Sequence, residues 1–182
     1  MPRCRCLCNL HLQEVFCCTV GAWMRASRLL QVGQLKDVGF HHQLRWTVAW
    51  RDMDAFGHVN NAVFVMYMEH ARVKYAEDAG IPLTTKPAEG AGPSIIVSNL
   101  SCRYRRPIDY PDTIVVGSKL TSFDEKRGNL TLQHQIWSEQ KQLVAAVGES
   151  GIVVYDYKAG QRVPIPAAWL ARMKEIDGGT IS

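Results

Sequence analysis

Arg51-Asp52-Met53-Asp54-Ala55-Phe56-Gly57-His58-Val59-Asn60-Asn61 joins two segments of different periodicity, and the fold is read outward from it. Upstream, Leu44, Trp46, Val48 and Trp50 alternate with Arg45, Thr47, Ala49 and Arg51. A period of two marks a half-buried strand, expected over 44–50, with Trp46 and Trp50, like Trp137, expected in the core or an interface. Downstream, residues 61–79 contain neither glycine nor proline, and Phe64, Tyr67, Met68, Ala71 and Tyr75 recur at steps of three and four. Those steps predict a long helix with one apolar stripe. Asn60 is a good N-cap for it, and Gly80 followed by Pro82 ends it.

Residues 81–93, rich in proline and glycine, read as a loop. Strands are expected at 94–105, 112–124, 130–138 and 143–157, with turn signals at 107–111, 126–129 and 139–142 between them. A short helix at 167–176 follows Pro164 and Pro166. A strand, a long helix and four closely connected strands make an α+β domain, an antiparallel sheet with a helix on one face. One helix does not hide both faces of a sheet, so a second subunit is expected over the remaining face or an edge, in a homodimer or homotetramer.

The 182 residues, 47% hydrophobic and 21% charged, suit one domain with a sizeable core. No apolar run reaches the length of a membrane span. The formal charge of +4 is spread without a Lys/Arg block, and no nucleic-acid module is readable. Cys4, Cys6, Cys8, Cys17 and Cys18 lie in an N-terminal extension, 1–42, leaving Cys102 alone in the domain at 43–178. The domain therefore has no disulfide framework, which suits a reducing compartment. One-residue cysteine spacing is not that of a zinc knuckle, so no metal is expected. The extension is poor in acids and carries scattered arginines. The expected location is cytoplasmic, or mitochondrial if this segment is a transit peptide.

Two carboxylates, an imidazole and two amides thus converge on a helix start, whose first N–H groups lack internal partners and carry the positive end of the dipole. Acyl-transfer chemistry at a thioester needs an attacking or water-activating group and donors for the carbonyl oxygen. Asp54 supplies the first and the helix N-terminus the second. A thiolate leaves readily, so no Gly-x-Ser-x-Gly elbow is required. Asp52, His58 and Asn60 also have a plain structural reading as turn and helix caps.

Asp-x-Asp-x-x-Gly-His-Val-Asn-Asn opening a long helix resembles the hotdog-fold thioesterases of the 4-hydroxybenzoyl-CoA thioesterase type, and plant acyl-carrier-protein thioesterases carry a related string. Glu69-His70-Ala71-Arg72, Tyr104 to Pro107 and Asp112 extend the resemblance over about residues 44–157. It implies a hotdog fold, an antiparallel sheet wrapped around one central helix, and an acyl-CoA thioesterase. It also implies Asp54 as nucleophile or general base, His58 beside it, and a backbone oxyanion donor near Asn61. Asn60, Lys126, Arg127 and Arg105 are the expected substrate contacts, the cations serving the phosphates of coenzyme A. Arg103 and Arg106 complete a second basic cluster. Coenzyme A is part of the substrate, and no further cofactor is implied. The acyl-carrier-protein branch has asparagine where this chain has Phe56, which favours coenzyme A. Glu69 reads as an ion-pair partner for Arg72 or Arg103. A non-catalytic acyl-CoA-binding or structural subunit and an acyl-carrier-protein thioesterase are the alternatives. A hydratase fits less well, because its Asp-x-Asn-x-x-His pattern is absent.

Overall fold

The computed structural model describes residue 35 and residues 38–83 and 92–179. The N-terminal cysteines and most of the loop expected at 81–93 lie outside the described residues. The alternating segment forms β1 (His42–Thr47), which pairs antiparallel with β3 (Thr113–Asp124), Leu44 opposite Val116 and Trp46 opposite Ile114. With β2 (Pro93–Tyr104), β4 (Asn129–Ser138) and β5 (Leu143–Asp156) it makes an antiparallel sheet in the order β1-β3-β4-β5-β2. The two-residue β6 (Gln161–Arg162), too short to carry a period, pairs with the end of β5. β2 is therefore an edge strand along its whole length of 12 residues, broken only by a register shift between Val97 and Asn99.

The predicted helix is α1 (Asn61–Asp78). Asn60 caps it by accepting the Ala62 N–H at 2.9 Å. Gly80, at φ +73°, closes the other end, and the Ile81 N–H returns to the Ala76 carbonyl at 3.0 Å, a left-handed stop that favours glycine. All five stripe residues are buried. Toward the helix start they pack on Ile114, Val116 and Ile136. Toward its end they meet Leu120, Leu132 and Ile152, joined by Leu170 and Met173 of α2 (Ala167–Ile176). Burial of each large apolar side chain contributes roughly 1.5–3 kcal/mol. This is the hotdog arrangement. Among the described residues no helix is long and apolar enough to cross a membrane.

The strand is shorter than its alternation, and part of the stretch ahead of it packs on the sheet. β1 ends at Thr47, and Trp50 begins a 3₁₀ turn with 75% of its surface exposed, resting edge-on against Tyr110; Trp46 is 37% exposed and stacks on His70. The chain leaves the sheet at Val48, whose N–H bonds to the Asp112 carbonyl, so the alternation stops one turn early. The outer face is also partly covered by this same chain. Leu35 and Phe40, from the stretch set apart as extension, pack there on Val115 and Trp137. Gly117 permits this, because a Cβ would stand 2.8 Å from that of Phe40.

A polar chain crosses the core beneath α1. Ser118 Oγ lies 2.9 Å from His134 Nδ1, His134 Nε2 lies 2.9 Å from Ser150 Oγ, and Arg72 Nη1 donates to Ser150 Oγ at 3.1 Å. Burial, reinforced by the positive charge of Arg72, lowers the His134 pKa from 6.5 to about 3 and keeps the ring neutral.

Candidate active site

α1 is entered through a tight loop. Asp54 N–H bonds to the His58 carbonyl at 2.9 Å, Gly57 N–H to the Asp54 carbonyl at 3.1 Å, and Val59 N–H to the Ile108 carbonyl at 2.7 Å. Met53 and Val59 form an isolated antiparallel bridge. Gly57 turns the chain at φ +80°, a conformation that disfavours any side chain. The next segment, 105–112, anchors the loop from below through Ile108.

The two carboxylates of this loop have different surroundings. Asp52 is 5% exposed, accepting the Ala49 N–H and the Tyr67 hydroxyl, each at 2.8 Å. The Asp54 side chain is 18% exposed; Oδ1 accepts the Phe56 N–H at 2.8 Å, and Oδ2 stands 3.6 Å from His58 Nδ1, beyond hydrogen-bond length. One oxygen is thus fixed by the backbone while the other keeps its lone pairs available. His58 is half-exposed, its Nδ1 also 3.3 Å from the Val59 carbonyl.

Asp54, His58 and Asn61 line a cavity of about 450 Å³. Its apolar lining comes from Phe56, Val59, Phe64 and Pro107, and the end of β2 adds Tyr104, Arg105 and Arg106. Phe56 is 85% exposed. Tyr104 donates to the Asn61 carbonyl at 2.9 Å and meets the Phe64 ring edge-to-face, centroids 5.4 Å apart. The Asn61 N–H, first of the helix, finds no acceptor among the described residues. An available carboxylate oxygen, an unfilled amide at the positive end of a helix and an apolar cavity form a constellation suited to acyl transfer.

Four of the residues expected at the site, Asp54, His58, Asn61 and Arg105, therefore come together. Asn60 is not in the lining, and its side-chain oxygen is engaged as the helix cap. Lys126 and Arg127 stand in the turn between β3 and β4, where Arg127 lies 3.8 Å from Asp124. The loop of Asp54 is fastened beside the other end of β3, whose 12 residues span roughly 36 Å. Within one chain these cations are remote from the cavity. Glu69 is exposed and, among the described residues, forms no salt bridge with Arg72 or Arg103; Arg72 is instead buried against Ser150. The Glu69 charge still acts on Arg72, opposing the larger effect of burial, which lowers the guanidinium pKa. Phe64 and Val59 appear in the sequence only as apolar positions, and nothing local reveals that Tyr104 reaches Asn61.

Comparison with known proteins gives the chain's relatives. A family model described as the thioesterase-like superfamily matches residues 48–173. A solved thioesterase from Thermus thermophilus, complexed with coenzyme A and Zn, is 31% identical with a TM-score of 0.64, covering 77% of this chain and 96% of that one. A putative thioesterase from Pseudomonas aeruginosa, the PA2801 protein, is 30% identical with a TM-score of 0.63, covering 71% and 95%. Among curated proteins, a chloroplastic acyl-acyl carrier protein thioesterase of Arabidopsis thaliana, ATL3, is 27% identical over 92 residues, 50% of this chain and 47% of that protein. The chain thus matches about half the length of that relative.

Proposed function

This chain belongs to the thioesterase-like superfamily, and we propose that it hydrolyses acyl-coenzyme A to the free acid and coenzyme A, with Asp54 as nucleophile or general base. The observation that carries the proposal is the Asp54 carboxylate, one oxygen held by the Phe56 N–H and the other, 3.6 Å from His58 and without a hydrogen bond among the described residues, in a cavity that opens on the Asn61 amide. As a general base, Oδ2 takes a proton from water, whose oxygen attacks the thioester carbon. The oxyanion is held by the Asn61 N–H, and its collapse breaks the C–S bond and expels the thiolate, which recovers the proton. As a nucleophile, the same oxygen attacks the thioester carbon, the C–S bond breaks with loss of the thiolate, and water then opens the resulting mixed anhydride to the free acid and Asp54. His58, its Nδ1 3.6 Å away, is placed to orient the water.

Coenzyme A phosphates need cations, and Arg105 supplies one at the cavity. Lys126 and Arg127 are proposed to serve from a second copy of the chain. The β3–β4 turn stands at the Pro93 end of β2, because Asn129 and Ile96 both register with Val153. Antiparallel pairing of β2 with β2 of a second copy brings that end beside Tyr104 and hence toward Asp54. The unpaired twelve-residue edge is itself the reason to expect such pairing, since exposed edge strands template further pairing. A homodimer is the smallest assembly that meets this, and a homotetramer is compatible with it. The proposed compartment is the cytoplasm, or the mitochondrion if the N-terminal segment acts as a transit peptide.

The test is thiol release from a panel of acyl-CoA esters by the purified protein. Saturable acyl-CoA binding without release above buffer would favour the second reading, a non-catalytic acyl-CoA-binding subunit. Release confined to acyl groups on carrier protein would favour an acyl-carrier-protein thioesterase, the direction suggested by the likeness to the Arabidopsis relative.

A further inference from the structure

We propose that Phe64 and Tyr104 form the end wall of the acyl site and make this chain selective for short acyl groups over long straight ones; this rests on the thioesterase reading above. Phe64 is buried and backed by Tyr67 and Met68 in the core, so its ring has little room to swing aside. Tyr104 is pinned by its hydroxyl to the Asn61 carbonyl at 2.9 Å, and the two rings meet at 80° with centroids 5.4 Å apart. An edge-to-face pair held at one end by the core and at the other by a hydrogen bond makes a firm barrier.

What lies behind the pair supports the assignment. On the helix-facing side of β2, two residues before Tyr104, is Cys102, packed with Met68 into the same core. Met68 does not border the cavity, and Cys102 borders instead a second one of about 440 Å³ with Ser101, Arg103 and Glu149. Along the seam between α1 and β2, the natural path for a long chain running along the helix, the first side chains beyond the aromatic pair are thus packed into the core. Farther along it stands the buried cation of Arg72, bonded to Ser150, which registers with Leu100 of β2. Methylene groups reach the apolar side chains beyond the aromatic wall only if that wall is removed. A site that did bury them would gain roughly fourfold in kcat/KM for each one.

The experiment measures kcat/KM for butanoyl-, hexanoyl- and palmitoyl-CoA on the full-length wild type and on Phe64→Ala, Tyr104→Ala and Tyr104→Phe. The wild type is expected to prefer hexanoyl to palmitoyl by roughly tenfold or more. Both alanine variants open the path toward Met68 and Cys102 and raise the palmitoyl-to-hexanoyl ratio by roughly tenfold. Tyr104→Phe keeps the ring, so it leaves that ratio as in the wild type even where the absolute rate changes. A wild-type profile that is flat or rises to palmitoyl overturns the inference while leaving the thioesterase reading standing. An unchanged ratio in Tyr104→Ala, a half-exposed strand position that does not endanger folding, also overturns it. Release from none of the esters by the wild type removes the parent reading, and this inference with it.

Discussion

The Tyr67 hydroxyl donates to Asp52 Oδ2 at 2.8 Å inside the core, and this bond separates the roles of the two carboxylates in the entry loop. Asp52 holds helix and loop together. The same oxygen accepts the Ala49 N–H, and burial, with Asp52 beside it, pushes the Tyr67 phenol above its ordinary pKa. Asp52→Ala leaves a buried hydroxyl and a backbone amide unpaired, so a loss of about 2–4 kcal/mol is expected. Urea denaturation checks this. Residual activity should track the folded fraction, and a fully stable but inactive Asp52→Ala would assign Asp52 to the chemistry instead.

The neutral His134 has a pH signature. Its pKa falls from 6.5 to about 3 on folding, through burial and then the Arg72 charge, and burial lowers that of His42 as well. An unfolded chain then binds more protons than the folded one between these values. The stability due to His134 is therefore complete above about pH 6.5 and is lost as pH falls toward 3, at up to about 1.4 kcal/mol per pH unit. Asp177, raised by burial, contributes with the opposite sign. His134→Gln should flatten the fall in urea midpoint between pH 7 and 5, and the His134 ring should remain untitrated in NMR spectra down to about pH 4. A ring midpoint near 6.5 would mean that the Ser118–His134–Ser150 chain is hydrated.

Lys126 and Arg127 offer a test of the site shared between copies. Replacing both with alanine should raise KM for acyl-CoA several-fold, leave kcat nearly unchanged and weaken the salt dependence of KM. The corresponding acyl-pantetheine ester, which lacks the nucleotide, should be hydrolysed as by the wild type. An equal effect on both esters would show that these cations act on something other than the phosphates.

Glutamates at Asn99 and Ser101, both exposed on β2, would gather like charges along the proposed two-fold seam. Sedimentation should then show the mass of one chain, with activity falling in parallel. A wild type that already sediments as one chain at full activity would refute the shared site.

The helix and the sheet were legible because their periods are local. Phe64 to Tyr75 mark one stripe whatever the chain does elsewhere, and Gly80 stops the helix through its own backbone. The strand ends at Thr47, ahead of Trp50, because a period of two identifies a strand without saying where it stops. Leu35 and Phe40 have no period at all, and their place over Gly117 follows from packing alone. At the site, the loop motif exposed Asp54, His58 and Asn61, which are near neighbours in sequence. The bond from Tyr104 to Asn61 joins residues 43 apart, and the distance of Lys126 and Arg127 from the cavity depends on strand order, which no local signal encodes.

The most direct test of the central claim is thiol release by Asp54→Asn and Asp54→Ala on the best ester of the panel. A fall of roughly a hundredfold or more is expected, with unfolding temperature, oligomer mass and acyl-CoA affinity close to those of the wild type. Retention of activity within a few-fold in both folded variants would contradict the account.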